Sequence, residues 1–173
     1  YDVLVLDGPL TPHWIQKLEQ MHEKTHFSRV DSDSLDKLID KDEEVPSKLS
    51  KAEEEKLKPI FEGAVNKEKF MVQLQSMPET DAPIIITQPE FIRRMMEQQR
   101  MGGGGFYGAF PESYQLVVNG NHPVMGKLLK MKSARQQDTV KQLVDLAMLS
   151  HGLLKGEALS QFIERSVSGM IES

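Results

Sequence analysis

The 173 residues include 21 Lys and Arg against 26 Asp and Glu, a formal charge of −5, and no basic stripe interleaved with aromatics that would mark a nucleic-acid surface. There is no cysteine, which removes disulfides, thiolate metal sites and a cysteine nucleophile and fits a reducing compartment. No apolar run approaches the roughly 18 residues of a membrane span. A hydrophobic fraction of 39% with 27% charged residues predicts a soluble globular chain of one domain, or one domain with a piece of a neighbour.

The chain starts at Tyr1 without Met or a signal-like segment, directly on the apolar run Asp2-Val3-Leu4-Val5-Leu6. Such a run predicts a strand buried on both faces, at the start of an excised piece of something longer. Gly8-Pro9 turns the chain, and Thr11 is expected to cap a helix that has Pro12 at its first position. That helix runs to about Met21, with Trp14, Ile15, Leu18 and Met21 on one face. Residues 25–30 read as a second short strand. Together these make a βαβ unit too small to stand alone, the end of an α/β domain over residues 1–33. Residues 34–49 are a charged connector, with a helical turn expected at Leu35-Leu38-Ile39.

A further domain is predicted over residues 50–173. Ser50 and Glu53 form a capping-box pattern opening a helix striped by Leu57, Ile60, Phe61 and Val65, which Pro59 should kink or divide. Strands follow at residues 70–74, 83–87 and 114–118, with a polar loop over 78–81. Pro89 begins a Met-rich helix, and His122-Pro123 opens another with Val124, Leu128 and Leu129 inward. A long helix over about 134–154 carries two apolar stripes. Val140, Leu143, Val144, Ala147 and His151 form one, and Leu146, Leu149 and Leu153 the other. Gly152 and Gly156 loosen its exit before a last helix, 157–170, with Leu159, Phe162, Ile163 and Met170 in register. A helix apolar on two faces needs two burial partners. Either both stripes pack within one monomer, or one meets a second copy, where two helices doubled by a two-fold axis make a four-helix bundle. The predicted fold class is therefore α+β: a small mixed sheet, flanking helices and a C-terminal helix pair, preceded by the βαβ fragment.

The Met-rich stretch holds Phe91, Ile92, Met95, Met96 and Met101, then four glycines, then Phe106, Tyr107 and Phe110. Met is flexible and polarizable and is over-used at promiscuous binding surfaces. Four consecutive glycines lose the most backbone entropy on ordering, so apolar groups beside them point to a loose, partly exposed contact surface. The plainer reading packs Phe91 and Met95 inward, with Arg93, Arg94, Glu97 and Arg100 outward.

His22-Glu23-Lys24-Thr25-His26 matches the zinc-protease pattern, in which two His on one helix face hold zinc and the Glu acts as base. The helix is predicted to end at Met21, however, so the two His do not share a face, and a pair of surface histidines is the better reading. Gly102 to Gly105 lack the Gly-Lys-Ser/Thr ending of a phosphate-cradling loop. The acidic groups Glu43-Glu44 and Glu53-Glu54-Glu55 sit in solvated composition with nothing to shift a pKa. Ser113 and Ser150-His151 have no triad-like setting. Nothing in these patterns reads as catalytic.

The order of several motifs resembles the heat-shock protein 90 chaperones, of the bacterial type. Tyr1-Asp2-Val3-Leu4 through Asp7-Gly8-Pro9-Leu10-Thr11-Pro12 and Ile15-Gln16-Lys17-Leu18 resembles the last βαβ unit of that family's middle domain. Ala82-Pro83-Ile84-Ile85-Ile86-Thr87 resembles its C-terminal-domain strand, and Phe91 and Met95 fall where its short amphipathic helix has an aromatic and a Met. Asn119-Gly120-Asn121-His122-Pro123 is similar to its Asn-Pro-x-His-Pro element, with Gly120 in place of the usual Pro. Leu143-Val144-Asp145-Leu146-Ala147 with Leu149-Ser150-His151-Gly152 is similar to its penultimate helix.

The resemblance implies a dimerisation domain that holds a homodimer through a four-helix bundle, with Leu143, Leu146, Leu149, Leu153, Leu159, Phe162, Ile163 and Met170 at the interface. It also implies that Phe91, Ile92, Met95, Met96, Met101, Phe106, Tyr107 and Phe110 touch unfolded or partly folded client proteins in the dimer cleft. ATP and magnesium belong to the nucleotide domain of the full-length family member, so no cofactor, metal or catalysis is expected in this chain. Nucleic-acid and membrane partners are not expected, and the location implied is cytoplasmic. The acidic tail with which eukaryotic members bind co-chaperones is not seen in Ile171-Glu172-Ser173. The rival readings are a structural interaction module without client binding and the zinc protease of His22 and His26.

Overall fold

A computed structural model describes residues 3–8, 10–30, 32, 45–101 and 112–171, the side chains of 98–101 excepted. Three strands, β1 (Phe70–Gln75), β2 (Ile84–Thr87) and β3 (Tyr114–Asn119), form one mixed sheet. Its order is β1-β3-β2, with β1 parallel and β2 antiparallel to the central β3. The register pairs Phe70 with Tyr114 and Ile84 with Val118, and the Phe70 and Tyr114 rings stack with centroids 5.5 Å apart. Leu116, Val117 and Val118 are completely buried, as an uninterrupted apolar run in a central strand requires.

Six helices accompany the sheet among the described residues: α1 (Thr11–Met21), α2 (Lys51–Gly63), α3 (Glu90–Met101), α4 (Pro123–Leu128), α5 (Ser133–Ser150) and α6 (Glu157–Ile171). The fold is α+β. Helix α2 packs on β1 and α5 on β2, and the two helices meet each other. Leu57 and Phe61 of α2 and Val140 and Val144 of α5 are fully buried in the same core as Leu116 and Val118.

Several helix ends follow directly from local chemistry. Ser50 accepts a hydrogen bond from the Glu53 amide while the Glu53 carboxylate accepts from the Ser50 amide, a reciprocal capping box. Helix α5 ends at Ser150, earlier than 154, because Gly152 takes φ +66°. The Leu153 amide then reaches the Met148 carbonyl and the Gly152 amide that of Leu149, a Schellman closure. His151 is thus a C-cap residue, exposed, and not part of the inner stripe. Pro59 does not divide α2, and it lies on the exposed side where its missing N–H is tolerated.

The βαβ expectation is not met. Residues 3–8 and 25–29 are not strands, and Val3, Leu4 and Val5 are exposed, Val5 to 93%. A strand exists only as one side of a ladder, and no described residue pairs with either segment. Helix α1 does form over its predicted span, but Leu10 is its N-cap without a side-chain cap, Thr11 is its first residue, and it buries none of its side chains. The turn expected at Leu35-Leu38-Ile39 lies outside the described residues.

Asn119, the last residue of β3, organises the turn into α4. Its buried carboxamide accepts from the amides of Met77 (3.3 Å) and Asn121 (3.1 Å) and donates to the Pro78 carbonyl (2.8 Å). Asn121 accepts from the Lys48 amide (2.7 Å) and donates to the Pro46 carbonyl (3.0 Å), and the His122 Nδ1 caps α4 by accepting from the Val124 amide (3.2 Å). At Gly120 a Cβ would come to 3.4 Å from the end of the Leu49 side chain, about van der Waals contact.

Candidate functional site

Helices α5 and α6 are joined through polar groups. Asp145, completely buried on α5, accepts from Lys141 at 2.6 Å and pairs with Arg165 of α6. Gln142 donates to Ser166 at 2.8 Å, and the Ser166 hydroxyl donates in turn to the Phe162 carbonyl. Val140, Val144 and Ala147 face the core, so Leu146 (47% exposed) and Leu149 remain on the solvent side of α5. On α6, Ile163, Val167 and Met170 repeat at helical spacing and are all more than half exposed, with Ile171 beside them.

Of the residues expected at a dimer interface, Leu146, Leu149, Ile163 and Met170 are exposed, and Leu143, Leu153 and Leu159 are half-buried. Phe162 is different: it is buried within the protomer. Val167 and Ile171 complete the exposed stripe and were missed, although Val167 stands one helical turn from Ile163.

The second apolar surface is on α3. Phe91 is 71% exposed, while Ile92, Met95 and Met96 are half-buried and the Met96 sulfur accepts from Gln88 at 3.5 Å. The Met101 side chain and Phe106, Tyr107 and Phe110 lie outside the described residues.

The opposite face of α3 carries Glu90, Arg94 and Glu97. Arg94 donates to both oxygens of Glu19 on α1, at 2.8 and 3.1 Å, to Glu90 at 2.9 Å and to the Phe27 carbonyl at 2.6 Å. Glu19 also accepts from the Phe27 amide at 2.8 Å, and Arg29 pairs with Glu90 at 3.3 Å and with Glu97. The hydrogen bonds from Arg94, then that from Phe27, hold the Glu19 carboxyl below its usual range against the opposing effect of burial. Glu19 and Glu90 in turn push the Arg94 guanidinium pKa still higher.

His22 is the C-cap of α1, with φ −129° and ψ 83°, and the residues from Thr25 to Arg29 are non-helical, so His22 and His26 do not share a helix face. Among the described residues no group of three or more His, Asp or Glu side chains is placed to hold a metal ion. An open recess of about 510 Å3 is lined by Lys48, Lys56, Lys130, Glu53, Glu79 and His122, and there Lys48 is already paired with Glu79. No described helix is long and apolar enough to cross a membrane.

The α+β unit leaves uncovered an apolar stripe on α5 and α6 and Phe91 on α3, and the proteins it is similar to are molecular chaperones. The chain is 33% identical to the chaperone protein HtpG of Porphyromonas gingivalis, over 96% of the chain and 34% of that protein. It is 28% identical to the HtpG proteins of Bacteroides fragilis and Bacteroides thetaiotaomicron, again over 96% of the chain and 35% of each relative. The chain is a homologue of the HtpG chaperones, and it spans about a third of the length of the curated relatives it matches. The match to the Porphyromonas protein runs over 235 positions, 62 more than the 173 residues of the chain, so that relative carries sequence inside the matched stretch that this chain lacks. No protein-family model matches.

Proposed function

We propose that this chain is the dimerisation and client-contact part of an ATP-dependent chaperone that assists protein folding in the cytoplasm. The carrying observation is the stripe of Leu146, Leu149, Ile163, Val167 and Met170, exposed on two helices that are tied to each other through Asp145 and Arg165. Apolar residues repeating along two helices that are already locked to one another form a surface suited to a second copy of the same surface. The two copies would make a four-helix bundle. Association of this kind raises the effective concentration of whatever each copy carries for its counterpart.

The likeness to HtpG supports a chaperone role. On the resemblance, ATP and magnesium belong to the nucleotide domain of the full-length protein, and this chain itself is read as non-catalytic. Phe91, with Met95 and Met96 beside it, is the client contact in this reading, the flexible thioethers adapting to varied apolar segments.

Sedimentation at micromolar concentration tests association: a dimer is expected, and a monomer overturns the bundle. Replacing Met95, Met96 and Met101 by Ser and measuring suppression of a model client's aggregation tests the contact. Unchanged suppression by a persisting dimer would leave a structural interaction module without client binding.

A further inference from the structure

Helices α1 and α3 are held together in an unusual way for amphipathic helices. No residue of α1 is buried, and among the described residues neither helix brings its backbone against the sheet or against another helix. Their connection is the cluster of Glu19, Arg29, Glu90, Arg94 and Glu97, joined by the Phe27 amide and carbonyl. Glu90, Arg94 and Glu97 stand at i, i+4 and i+7, one face of α3. Phe91, Met95 and Ile92 fall on the other side of the same helix. The charged groups hold α3 from behind, and its apolar side stays turned away from α1.

We infer that this cluster is an electrostatic clasp that governs how the methionine helix is presented. Closed, it fixes α3 by its polar face against the segment carrying Glu19, Phe27 and Arg29. Open, it leaves α3 free to reorient Phe91 and Met95. Every charged side chain in it is partly exposed, from 17% at Glu19 to 37% at Arg94, so ions and charged partners reach it. Exposed ion pairs are individually weak and are screened by salt. A joint made from several of them, with no fully buried apolar side chain among the described residues of either helix, closes under ordinary conditions and opens on screening or on competition by an acidic segment for Arg29 and Arg94. The inference rests on reading α3 as the client contact and adds its regulation.

Amide hydrogen exchange over residues 90–97, with β3 amides as the control for the fold, tests the clasp. In the unaltered chain α3 is expected to be protected at about 0.1 M salt and to lose protection at about 1 M, where the screening length falls to about 3 Å. Arg94→Gln should speed exchange over 90–97 by about tenfold with β3 unchanged, and Glu19→Gln should act in the same direction. Adding Glu19→Gln to Arg94→Gln should do little more, because the two share one interaction. Lys17→Gln removes a charge of the same sign from the exposed side of α1, outside the cluster, and should leave exchange within about twofold. An α3 that is unprotected from the start, or equally protected in salt and in Arg94→Gln, overturns the clasp. The salt series on the unaltered chain decides the matter even if the variants fail to fold. Suppression of a model client's aggregation is read in parallel. Faster exchange with unchanged suppression keeps the clasp and sinks the client role of α3. Unchanged exchange sinks the clasp whatever happens to suppression.

Discussion

Arg165 reaches from α6 to the carboxylate of Asp145 on α5, a side chain only 1% exposed. The buried anion sits between two cations that retain contact with solvent, Arg165 at 35% and Lys141 at 43%. Removing one partner of a fully buried pair costs about 3–5 kcal/mol. In Asp145→Ala the orphaned cations can turn to water, so about 2 kcal/mol is expected. Urea unfolding reads this as a lowered midpoint at unchanged slope, and a loss under about 0.5 kcal/mol would show the pair to be incidental. Because the pair also sets how α6 lies on α5, Asp145→Ala should weaken self-association as well.

The Asn119 carboxamide satisfies two amides and a carbonyl in the turn that leaves β3. Asn119→Ala strands the Met77 and Asn121 amides in a buried place, at about 1–3 kcal/mol for each unsatisfied group. A combined loss of about 2–4 kcal/mol is expected by denaturant titration. Asn119→Asp keeps the acceptor but loses the donor to Pro78, and should cost less than the alanine variant if the two amides dominate.

Ser50→Ala opens the capping box at the start of α2 and should cost about 1 kcal/mol by the same titration. The Ser50 amide, then its hydroxyl, lowers the pKa of the Glu53 carboxyl. Ser50→Ala keeps the amide and removes the hydroxyl, so the Glu53 pKa should rise part of the way in an NMR titration, and an unmoved value would refute the hydroxyl's share.

The elements legible in the sequence were those whose chemistry is local. The capping box spans four residues. The end of α5 was less legible: the apolar pattern continues to Leu153, past the turn that Gly152 makes. The apolar run of β3 is buried because that strand lies between two others. The run from Asp2 to Leu6 looks the same in isolation, but burial on both faces needs neighbouring strands, which no pattern within the run can report. The Glu19–Arg94 contact spans 75 positions, and no periodicity links those residues. Phe162 and Val167 show the limit within one helix. Both belong to apolar stripes of α6, and which stripe is buried depends on how α6 lies on α5, a relation that no pattern within α6 reports.

Glu19 makes the clasp sensitive to acid. Its carboxyl is held below the usual 4.5, chiefly by hydrogen bonding to Arg94, so its contribution is fully present above that value and is lost as pH falls through its lowered pKa. Glu53 behaves in the same direction at α2, so global unfolding mixes the two. Trp14, half exposed on the same helix as Glu19, reports locally. Its emission is expected to hold steady from about pH 7 to about pH 5 and to change below about 4.5, with the change absent in Glu19→Gln. An identical acid transition in that variant would assign it to other groups.

Self-association can be separated from folding by choosing residues that the protomer does not bury. Leu146→Asp and Ile163→Asp place a charge on side chains already 47% and 52% exposed, so protomer stability should change by no more than about 0.5 kcal/mol. In a dimer the same carboxylates would be buried against apolar side chains without a partner, at several kcal/mol per copy. Since each 1.4 kcal/mol is about tenfold, the dissociation constant should rise by at least about a hundredfold, enough to give monomers at micromolar concentration. Phe162→Ala is the contrasting variant: its side chain is only 7% exposed within the protomer, so it should lower stability by about 3 kcal/mol whether or not the chain associates. If Leu146→Asp and Ile163→Asp sediment as dimers alongside the unaltered chain, the stripe on α5 and α6 is not where two copies meet.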